Sequence, residues 1–166
     1  MDETRRKDAA EFDQRDFRNA LGRFATGVTV ITTMGPGGKP EGLTVNSFSA
    51  VSLDEPLILW CMAKSSPSLP IFMETGHFAV NVLTSSQQNL SNTFSASAKD
   101  KFSGVEWRQG LGGAPVLNGC LASFECRNSA QHEGGDHLIL IGAVEKYDYH
   151  EGQPLLFLSG NYTVPA

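Results

Sequence analysis

The amino-acid sequence lacks the features that most directly mark a membrane protein or a nucleic-acid-binding protein. None of its apolar runs approaches the roughly 20 residues of a membrane-spanning helix. The formal net charge is −5, whereas a nucleic-acid surface needs clustered Lys and Arg. The basic cluster Arg5-Arg6-Lys7 is not followed by an apolar segment, so it does not have the pattern of a secretory signal. We therefore expect a chain that binds neither membranes nor nucleic acids.

Cysteine is scarce, with three residues in a chain of 166. Cys120 and Cys126 stand on one predicted strand, and the strand rise separates them by about 20 Å, too far for a disulfide. Cys61 is left without a partner, so we expect three free thiols in a reducing cytoplasm. The four histidines form no HExxH pattern and the cysteines no CxxC pattern, so we expect no metal site.

Familiar catalytic motifs are also missing. No GxSxG sequence occurs, and the glycine-rich stretches GPGGKPEG and GLGGAP do not have the GxGxxG spacing of a dinucleotide-binding turn. Carboxylates that could work as paired acids and bases are sparse in the body of the chain, because residues 1–18 carry 11 of the 31 charged residues. If the protein is an enzyme, we expect a bound cofactor to supply the reactive atom.

Length and composition indicate one domain. A chain of 166 residues buries roughly two-thirds of the surface of its unfolded form, which is enough for a core without disulfides. We expect residues 1–15 to be a flexible charged extension and residues 16–166 to form the folded domain.

Short β-branched segments separated by Gly and Pro dominate this predicted domain. The predicted strands are GVTVITT, GLTVNSFSAVSL, LILWCMA, HFAVNVL, the pair CLASFECRNSAQHE and GDHLILIGAVEKYDY, and PLLFLSGNYT. The predicted helices are DFRNALGRFATG, part of SSPSLPIFMETG, and SSQQNLSNTFS with an N-cap serine, while KFSGVEWRQGLGGAP is expected to be irregular. Six or seven strands joined by short turns, with no βαβ alternation, predict an antiparallel barrel.

Two segments have the composition of a ligand cradle. In TVNSFSAVS, strand alternation would place Thr44, Asn46 and Phe48 on one face, where hydroxyl and amide groups could hydrogen-bond a flat polar heterocycle. A half-exposed strand explains the same pattern. In MAKSSPS, Lys64, Ser65 and Ser66 offer a charge, hydroxyls and backbone N–H groups to a phosphate, although an ordinary helix cap has the same residues.

A third segment joins turn residues to an apolar strand. In GGDHLILIGAVEKY, the residues Gly135-Asp136-His137 stand at the junction. They are typical of the turn of a β-hairpin, and they also place an imidazole beside a carboxylate. The segment alone does not distinguish a simple turn from a binding site.

The order of the segments resembles the flavin reductase-like family. The resemblance spans residues 16–163 and rests on seven elements in one order rather than on any single motif. They are GVTVITT, then G-x-T-x-N-S-F-S-x-V-S-L-x-x-P, a strand followed by Ser-Ser, HFAVNVL, Phe94 with the later Lys-Phe pair, GDH before an apolar strand, and PLLFLSGNY. Members are small NAD(P)H-dependent reductase components of two-component flavin monooxygenases.

The resemblance implies a mainly β, antiparallel Greek-key split β-barrel of the FMN-binding type, with a few short flanking helices. It implies a cytoplasmic homodimer that reduces FMN or FAD with NADH, NADPH being the less favoured donor, and releases the reduced flavin to a separate oxygenase. The predicted flavin-binding residues are the cradle residue Thr44 and eleven positions that the resemblance implies: Asn46, Ser47, Phe48, Cys61, Ala63, Lys64, Ser65, Ser66, Phe94, Lys101 and Phe102.

The same resemblance assigns Gly135-Asp136-His137 to nicotinamide binding. Hydride transfer needs the nicotinamide and flavin rings stacked with reacting atoms roughly 3–3.5 Å apart, and it needs no acid or base on the protein. His137 is therefore expected to hydrogen-bond the nicotinamide nucleotide, and Asp136 to fix the imidazole or the turn.

Three other interpretations are compatible with parts of the sequence. A flavin-binding electron carrier or sensor would keep the two cradles without needing GDH. A pyridoxamine-phosphate oxidase-like barrel should show more Arg and Lys around its phosphate than this chain has. A purely structural barrel would bind no flavin.

Overall fold

The computed structural model describes Asp8 and residues 11–165. Within them the chain forms twelve β-strands and three α-helices. The strands are β1 Thr26–Gly27, β2 Thr29–Met34, β3 Pro40–Val45, β4 Ser49–Ser52, β5 Leu57–Ala63, β6 His77–Val82, β7 Trp107–Gln109, β8 Pro115–Leu117, β9 Ala122–Gly134, β10 His137–Tyr149, β11 Leu156–Leu158 and β12 Asn161–Thr163. The helices are α1 Gln14–Leu21, α2 Leu69–Glu74 and α3 Gln88–Ser95.

Seven strands form one antiparallel sheet in the order β3-β2-β6-β9-β10-β5-β4. Strands β3 and β4 lie at opposite edges, yet only residues 46–48 connect them. A flat sheet of seven strands would be roughly 29 Å across, whereas the connection from Val45 to Ser49 reaches at most about 14 Å. The sheet must therefore curl until its edges meet, which makes it a barrel.

The Ser47 side chain fastens these two edges. Its Oγ accepts a hydrogen bond from the backbone N–H of Cys61 at 2.9 Å and lies 3.2 Å from the Cys61 carbonyl oxygen, to which it can donate. Cys61 belongs to β5, the neighbour of the edge strand β4. One hydroxyl thus joins the end of β3 to the far side of the sheet.

Apolar side chains fill the inside of the curled sheet. The β-branched run of β2 is buried almost throughout, with Ile31 fully inaccessible. In β5 alternate residues are buried, including Trp60, whose ring meets the edges of Phe72 and Phe78. Period-two burial in β5 is the pattern expected for a strand with one face in a core.

The longest pair of strands is the hairpin β9–β10, which the sequence predicts. Its two-residue turn contains Gly135 with φ +70°, a left-handed conformation that glycine adopts without strain. Strand β10 also pairs with β5, where His137 lies opposite Ala63. The backbone N–H of Lys64 donates to the Asp136 carbonyl oxygen at 2.9 Å. The turn is therefore held beside the end of β5.

The structure corrects the predicted strand over TVNSFSAVS. The chain leaves the sheet after Val45 and re-enters it at Ser49 on the other edge. The expected alternation of Thr44, Asn46 and Phe48 on one strand face is therefore wrong. The physical reason is barrel closure, because the Ser47 contacts with Cys61 bend the chain at this point.

Three smaller expectations are also corrected. The predicted irregular segment contains β7 and β8, which pair with each other, so the count of six or seven strands is too low. The residue that caps the helical segment of α3 is Thr84 rather than a serine: it precedes a 3-10 turn over Ser85–Gln87 that leads into α3, and the Gln87 side chain accepts the Thr84 N–H at 3.0 Å in a capping box. Cys120 precedes β9 instead of lying on it, although the described cysteines are free.

The predicted extension, residues 1–15, lies largely outside the described residues. Helix α1 begins at Gln14, where Asp13 Oδ1 accepts the Asp16 N–H at 2.9 Å. Among the described residues, none of the helices is both long enough and apolar enough to cross a membrane. In the same part of the chain, no three His, Cys, Asp or Glu side chains converge as metal ligands would.

Candidate functional site

A cleft of about 680 Å³ lies beside β3 and its continuation. This volume lies in the range of small-molecule and cofactor sites. Residues 43–47 form one wall and residues 94–99 another, while residues 61–63 and 66–68 complete the boundary. His137 stands beside residues 61–63, and the side chains of Lys39, Glu41 and Lys101 also line the cleft.

Close packing between β3 and α3 fixes the first two walls. Gly42 makes this approach possible, because a Cβ there would lie 2.8 and 2.9 Å from ring carbons of Phe94. The Thr44 hydroxyl donates to the Ser91 carbonyl oxygen at 2.7 Å. Ser91 and Phe94 are both fully buried. The β3 wall is therefore tied to α3 through contacts that leave little room for movement.

Lys101 joins the same two elements from the cleft side. Its ammonium donates to the carbonyl oxygens of Gly42 at 3.2 Å and Phe94 at 3.1 Å. An ammonium has three N–H donors, so one remains for a ligand. The backbone contacts hold this positive charge at a defined place on the cleft wall.

Cys61 lines the cleft and is partly buried. Burial raises the pKa of its thiol above the ordinary value, and the hydrogen bond with Ser47 opposes this only in part. The thiol is therefore neutral near pH 7, which does not suit a cysteine nucleophile. Its position instead gives the cleft a small apolar surface.

At one end of the cleft an imidazole is oriented by its neighbour in sequence. Nδ1 of His137 lies 2.8 Å from Oδ1 of Asp136. The hydrogen bond and the charge of His137 lower the pKa of Asp136, which keeps it an ionised acceptor. Nδ1 therefore carries the proton in this contact, and Nε2 is the nitrogen left for a ligand.

The structure brings nine of the predicted site residues to the cleft. They are Thr44, Asn46, Ser47, Cys61, Ala63, Ser66, Phe94, Lys101 and His137. Asp136 does not line the cleft, but its carboxylate contacts the His137 side chain, which does. These residues come from five separate segments of the sequence.

Four predicted flavin-binding residues do not line the cleft. Lys64 forms an ion pair with Glu133, and Ser65 follows it in an exposed turn. The Phe48 ring packs on Phe124, with 5.6 Å between ring centroids. Phe102 meets Phe94 edge to face at 4.9 Å, so it supports the wall from behind. Lys64 does not line the cleft because its ammonium forms the ion pair with Glu133. The sequence alone suggests that this ammonium would bind a phosphate.

The sequence did not indicate several charged or polar groups of the cleft. Lys39 and Lys99 come from two loops far apart in sequence, and Glu41 lines the same cleft. The Ser68 hydroxyl donates to Glu41 Oε1 at 2.7 Å, which bridges β3 to the start of α2. The sequence does contain one signal for these groups, the two nearby lysines Lys99 and Lys101. The resemblance to the family includes only Lys101.

The arrangement suits a long ligand with distinct parts. Val45, Ala63 and Cys61 give the cleft an apolar surface for a flat ring, while Asn46 and Ser66 supply polar groups. Lysine side chains stand on the wall near the start of β3 and the oriented imidazole stands near the end of β5. This donor set fits a flavin nucleotide, which combines a flat heterocycle, a polyol and a phosphate.

Comparison with known proteins agrees with this geometry. The family described as "Flavin reductase like domain" matches residues 21–165. The chain is 48% identical over 150 residues to "FMN reductase (NADH) SmoA" of Agrobacterium fabrum, covering 90% of this chain and 85% of that protein. It is 42% identical over 158 residues to "Flavin-dependent monooxygenase, reductase subunit HsaB" of Mycobacterium tuberculosis, with coverages of 93% and 84%.

A solved structure shows the same likeness in three dimensions. The Streptomyces globisporus NADH:FAD oxidoreductase SgcE6, in complex with NAD and FAD fragments, superposes with a TM-score of 0.88 and 36% identity. The alignment covers 93% of both chains. The chain therefore belongs to the flavin reductase-like family. The predicted family, split-barrel fold and enzyme class, an NAD(P)H:flavin oxidoreductase, are confirmed.

Proposed function

We propose that the protein reduces FMN or FAD with NADH and supplies the reduced flavin to a separate monooxygenase. The observation that carries the proposal is one cleft whose lining includes lysines, apolar side chains and an oriented imidazole near the end of β5. The names of two relatives support NADH as donor, one with FMN and the other with FAD. A third relative is the reductase subunit of a monooxygenase, which supports the separate partner.

The wall residues would hold the flavin. A bound flavin would supply the ring that accepts a hydride. Asn46 and Ser66 line the cleft and would hydrogen-bond its polar groups, while Val45 and Ala63 would exclude water from the ring. The ammonium of Lys101, with one donor free, would bind a phosphate. Each of these groups binds or orients, so the wall acts through position.

His137 would bind the nicotinamide nucleotide through Nε2. Asp136 holds Nδ1, so the ring is oriented before the dinucleotide arrives and less freedom is lost on binding. Hydride transfer requires no proton exchange with the protein, which agrees with the few carboxylates along the cleft. His137 would therefore contribute mainly to the affinity and alignment of the donor.

We also propose that two copies of the chain associate. Apolar side chains on α1 and just beyond it are exposed, with Phe17 at 49%, Leu21 at 59% and Phe24 at 78%. Neighbouring exposed apolar groups are typical of association surfaces. Sedimentation equilibrium of the purified protein tests the proposal, and a monomer at all concentrations would contradict it.

NADH oxidation in air, with FMN, FAD or no flavin added, tests the proposed activity. We expect turnover that depends on flavin, and a rise in the KM for NADH of about 10-fold in His137→Ala, the loss of one good hydrogen bond. His150→Ala is the matched control, because that exposed histidine lies outside the cleft. Flavin binding without NADH oxidation would indicate a carrier or sensor instead.

A further inference from the structure

The segment PLLFLSGNY, one of the ordered elements of the sequence, forms strands β11 and β12 and the two-residue turn between them. Both turn residues lie in the left-handed region, Ser159 with φ +50° and Gly160 with φ +82°. Positive φ at both central positions is the mark of a tight hairpin turn. The turn fixes the register of this C-terminal hairpin, in which Tyr162 lies opposite Phe157.

Tyr162 packs against α3. Its ring meets Phe157 edge to face with 5.5 Å between the ring centroids, and both rings contact the buried apolar cluster that includes Phe94. The Tyr162 hydroxyl oxygen lies 2.8 Å from Oγ of Ser91, a residue of α3. Ser91 is fully buried, so bulk water could not replace this hydrogen bond if the Tyr162 hydroxyl were removed.

Ser91 connects this contact with the cleft. Its carbonyl oxygen accepts the hydroxyl of Thr44, which lines the cleft, at 2.7 Å. Phe94, three residues further along the same side of the helix, also lines the cleft and packs on Gly42. Ser91 therefore bonds the C-terminal hairpin through its side chain and the cleft wall through its backbone.

The position of α3 depends on such contacts. The helix has eight residues, and an isolated helix shorter than about 12–15 residues is only marginally stable in water. Contacts with β3 on one side and with the C-terminal hairpin on the other therefore decide where it lies. A displacement of α3 would carry Phe94 with it and would break the hydrogen bond to Thr44.

We infer that Tyr162 is a positioning residue for the bound flavin. Its hydroxyl fixes α3 at Ser91, and α3 in turn fixes Thr44 and Phe94 on the cleft wall. Tyr162 is not itself a lining residue of the cleft, so it acts through Ser91. The inference rests on the proposed function, in which the cleft binds FMN or FAD.

A double-mutant cycle tests the inference without relying on turnover. FMN and, in parallel, FAD are titrated into flavin-free protein, and flavin fluorescence is followed. Tyr162→Phe keeps the ring and removes the hydroxyl, while Thr44→Val removes the hydroxyl at the other end of the connection. We expect the flavin Kd to rise about fivefold in each single variant, the loss of one hydrogen bond. The double variant should also show a rise of about fivefold, because both changes break the same connection.

Two control variants separate this role from a general loss of stability. Thr93→Ala removes a hydroxyl from an exposed position of α3, where it donates to the Asn89 carbonyl oxygen, and should leave the flavin Kd unchanged. Ile58→Val removes one methyl group from the other buried cluster. It should lower the melting temperature but leave the flavin Kd unchanged. Thermal unfolding of every variant measures its stability.

A further variant covers the case in which Tyr162→Phe does not fold. Ser91→Ala breaks the same hydrogen bond from the helix side, and the half-buried Tyr162 hydroxyl can then bond to water. We expect the same rise of about fivefold in the flavin Kd. Unchanged flavin binding in this variant would contradict the inference.

Three other outcomes would overturn it. A rise of about 25-fold in the double variant would mean that Tyr162 and Thr44 act independently. Equal weakening in Ile58→Val and Tyr162→Phe would mean that flavin binding follows stability alone. A wild-type protein that binds neither FMN nor FAD would leave Tyr162 with nothing to position. If the cycle behaves as expected but no NADH is oxidised, the proposed reductase function fails while the positioning role stands.

Discussion

Asp136 and His137 are neighbours in sequence whose side chains also meet, with Oδ1 of the aspartate 2.8 Å from Nδ1 of the histidine. The contact lies at the turn of the β9–β10 hairpin, and the Asp136 carbonyl oxygen also accepts the backbone N–H of Lys64. The turn is thereby fixed to the end of β5, and the imidazole faces the cleft. The residues of this hairpin turn are also the ones that we propose bind the nicotinamide nucleotide.

Replacing Asp136 by Ala should weaken the binding of NADH more than it slows turnover. Without the carboxylate, the His137 ring is free to rotate and either nitrogen can carry the proton. We expect the KM for NADH to rise about fivefold with kcat nearly unchanged. Asp136→Asn keeps an acceptor oxygen and should restore much of the affinity. Equal effects of both variants on kcat alone would contradict a positioning role.

Replacing Gly42 by Ala should loosen the wall of the cleft. The new methyl group would lie 2.8 Å from the Phe94 ring, so α3 or the ring must move. We expect a loss of about 1–3 kcal/mol in the free energy of unfolding and weaker flavin binding. Urea denaturation and flavin titration measure the two effects.

Gly76→Ala is the matched control for that substitution. A Cβ at Gly76 meets nothing within 4 Å and its backbone is not in the left-handed region. The change should be neutral or stabilise the protein by up to about 1 kcal/mol. If Gly42→Ala behaved in the same way, the close contact with Phe94 would not constrain the wall.

Cys61 should be the cysteine that reacts in the native protein, and only slowly at neutral pH. Burial raises the pKa of Cys120 to about 11 and that of Cys126 to about 12, and both are buried. Cys61 also has a raised pKa but lines the cleft. Because the thiolate is the reactive form, alkylation should accelerate as the pH rises toward and beyond 9.0, the ordinary pKa of a cysteine thiol.

Added flavin should protect Cys61 from alkylation. Mass spectrometry of the alkylated peptides identifies the modified cysteine at each pH, with and without FMN. Protection is expected because the thiol lines the cleft in which we propose the flavin binds. Rapid alkylation of Cys61 at pH 7, or equal rates with and without flavin, would contradict the placement of the flavin there.

The sequence predicted elements where a local pattern decides the structure. The helical spacing of Phe17 and Leu21 gives α1, and the β-branched run through Ile31 gives β2. The glycine before Asp136 marks the hairpin turn. In each case the side-chain period or the backbone freedom of a few adjacent residues is sufficient.

Barrel closure and the far end of the cleft could not be predicted in this way. Alternation in TVNSFSAVS continues through Asn46, so a local pattern shows no break where Ser47 crosses to Cys61. Lys39 and Lys99 are 60 positions apart in sequence, yet both line the cleft, beside which α3 packs on β3 at Gly42. Lys64 is the opposite case, a residue that the sequence assigns to the site but that does not line the cleft. Its ion-pair partner Glu133 comes from a strand distant in sequence, so a local pattern could not show the pair.

Reduction of free flavin without oxygen tests the central claim most directly. A small amount of the purified protein is mixed with NADH and excess FMN or FAD, and the visible absorbance of oxidised flavin is followed. We predict that each protein molecule reduces many flavin molecules, with one NADH consumed per flavin. Reduction that stops at one flavin per protein, or that does not occur with either flavin, would contradict the assignment as a flavin reductase.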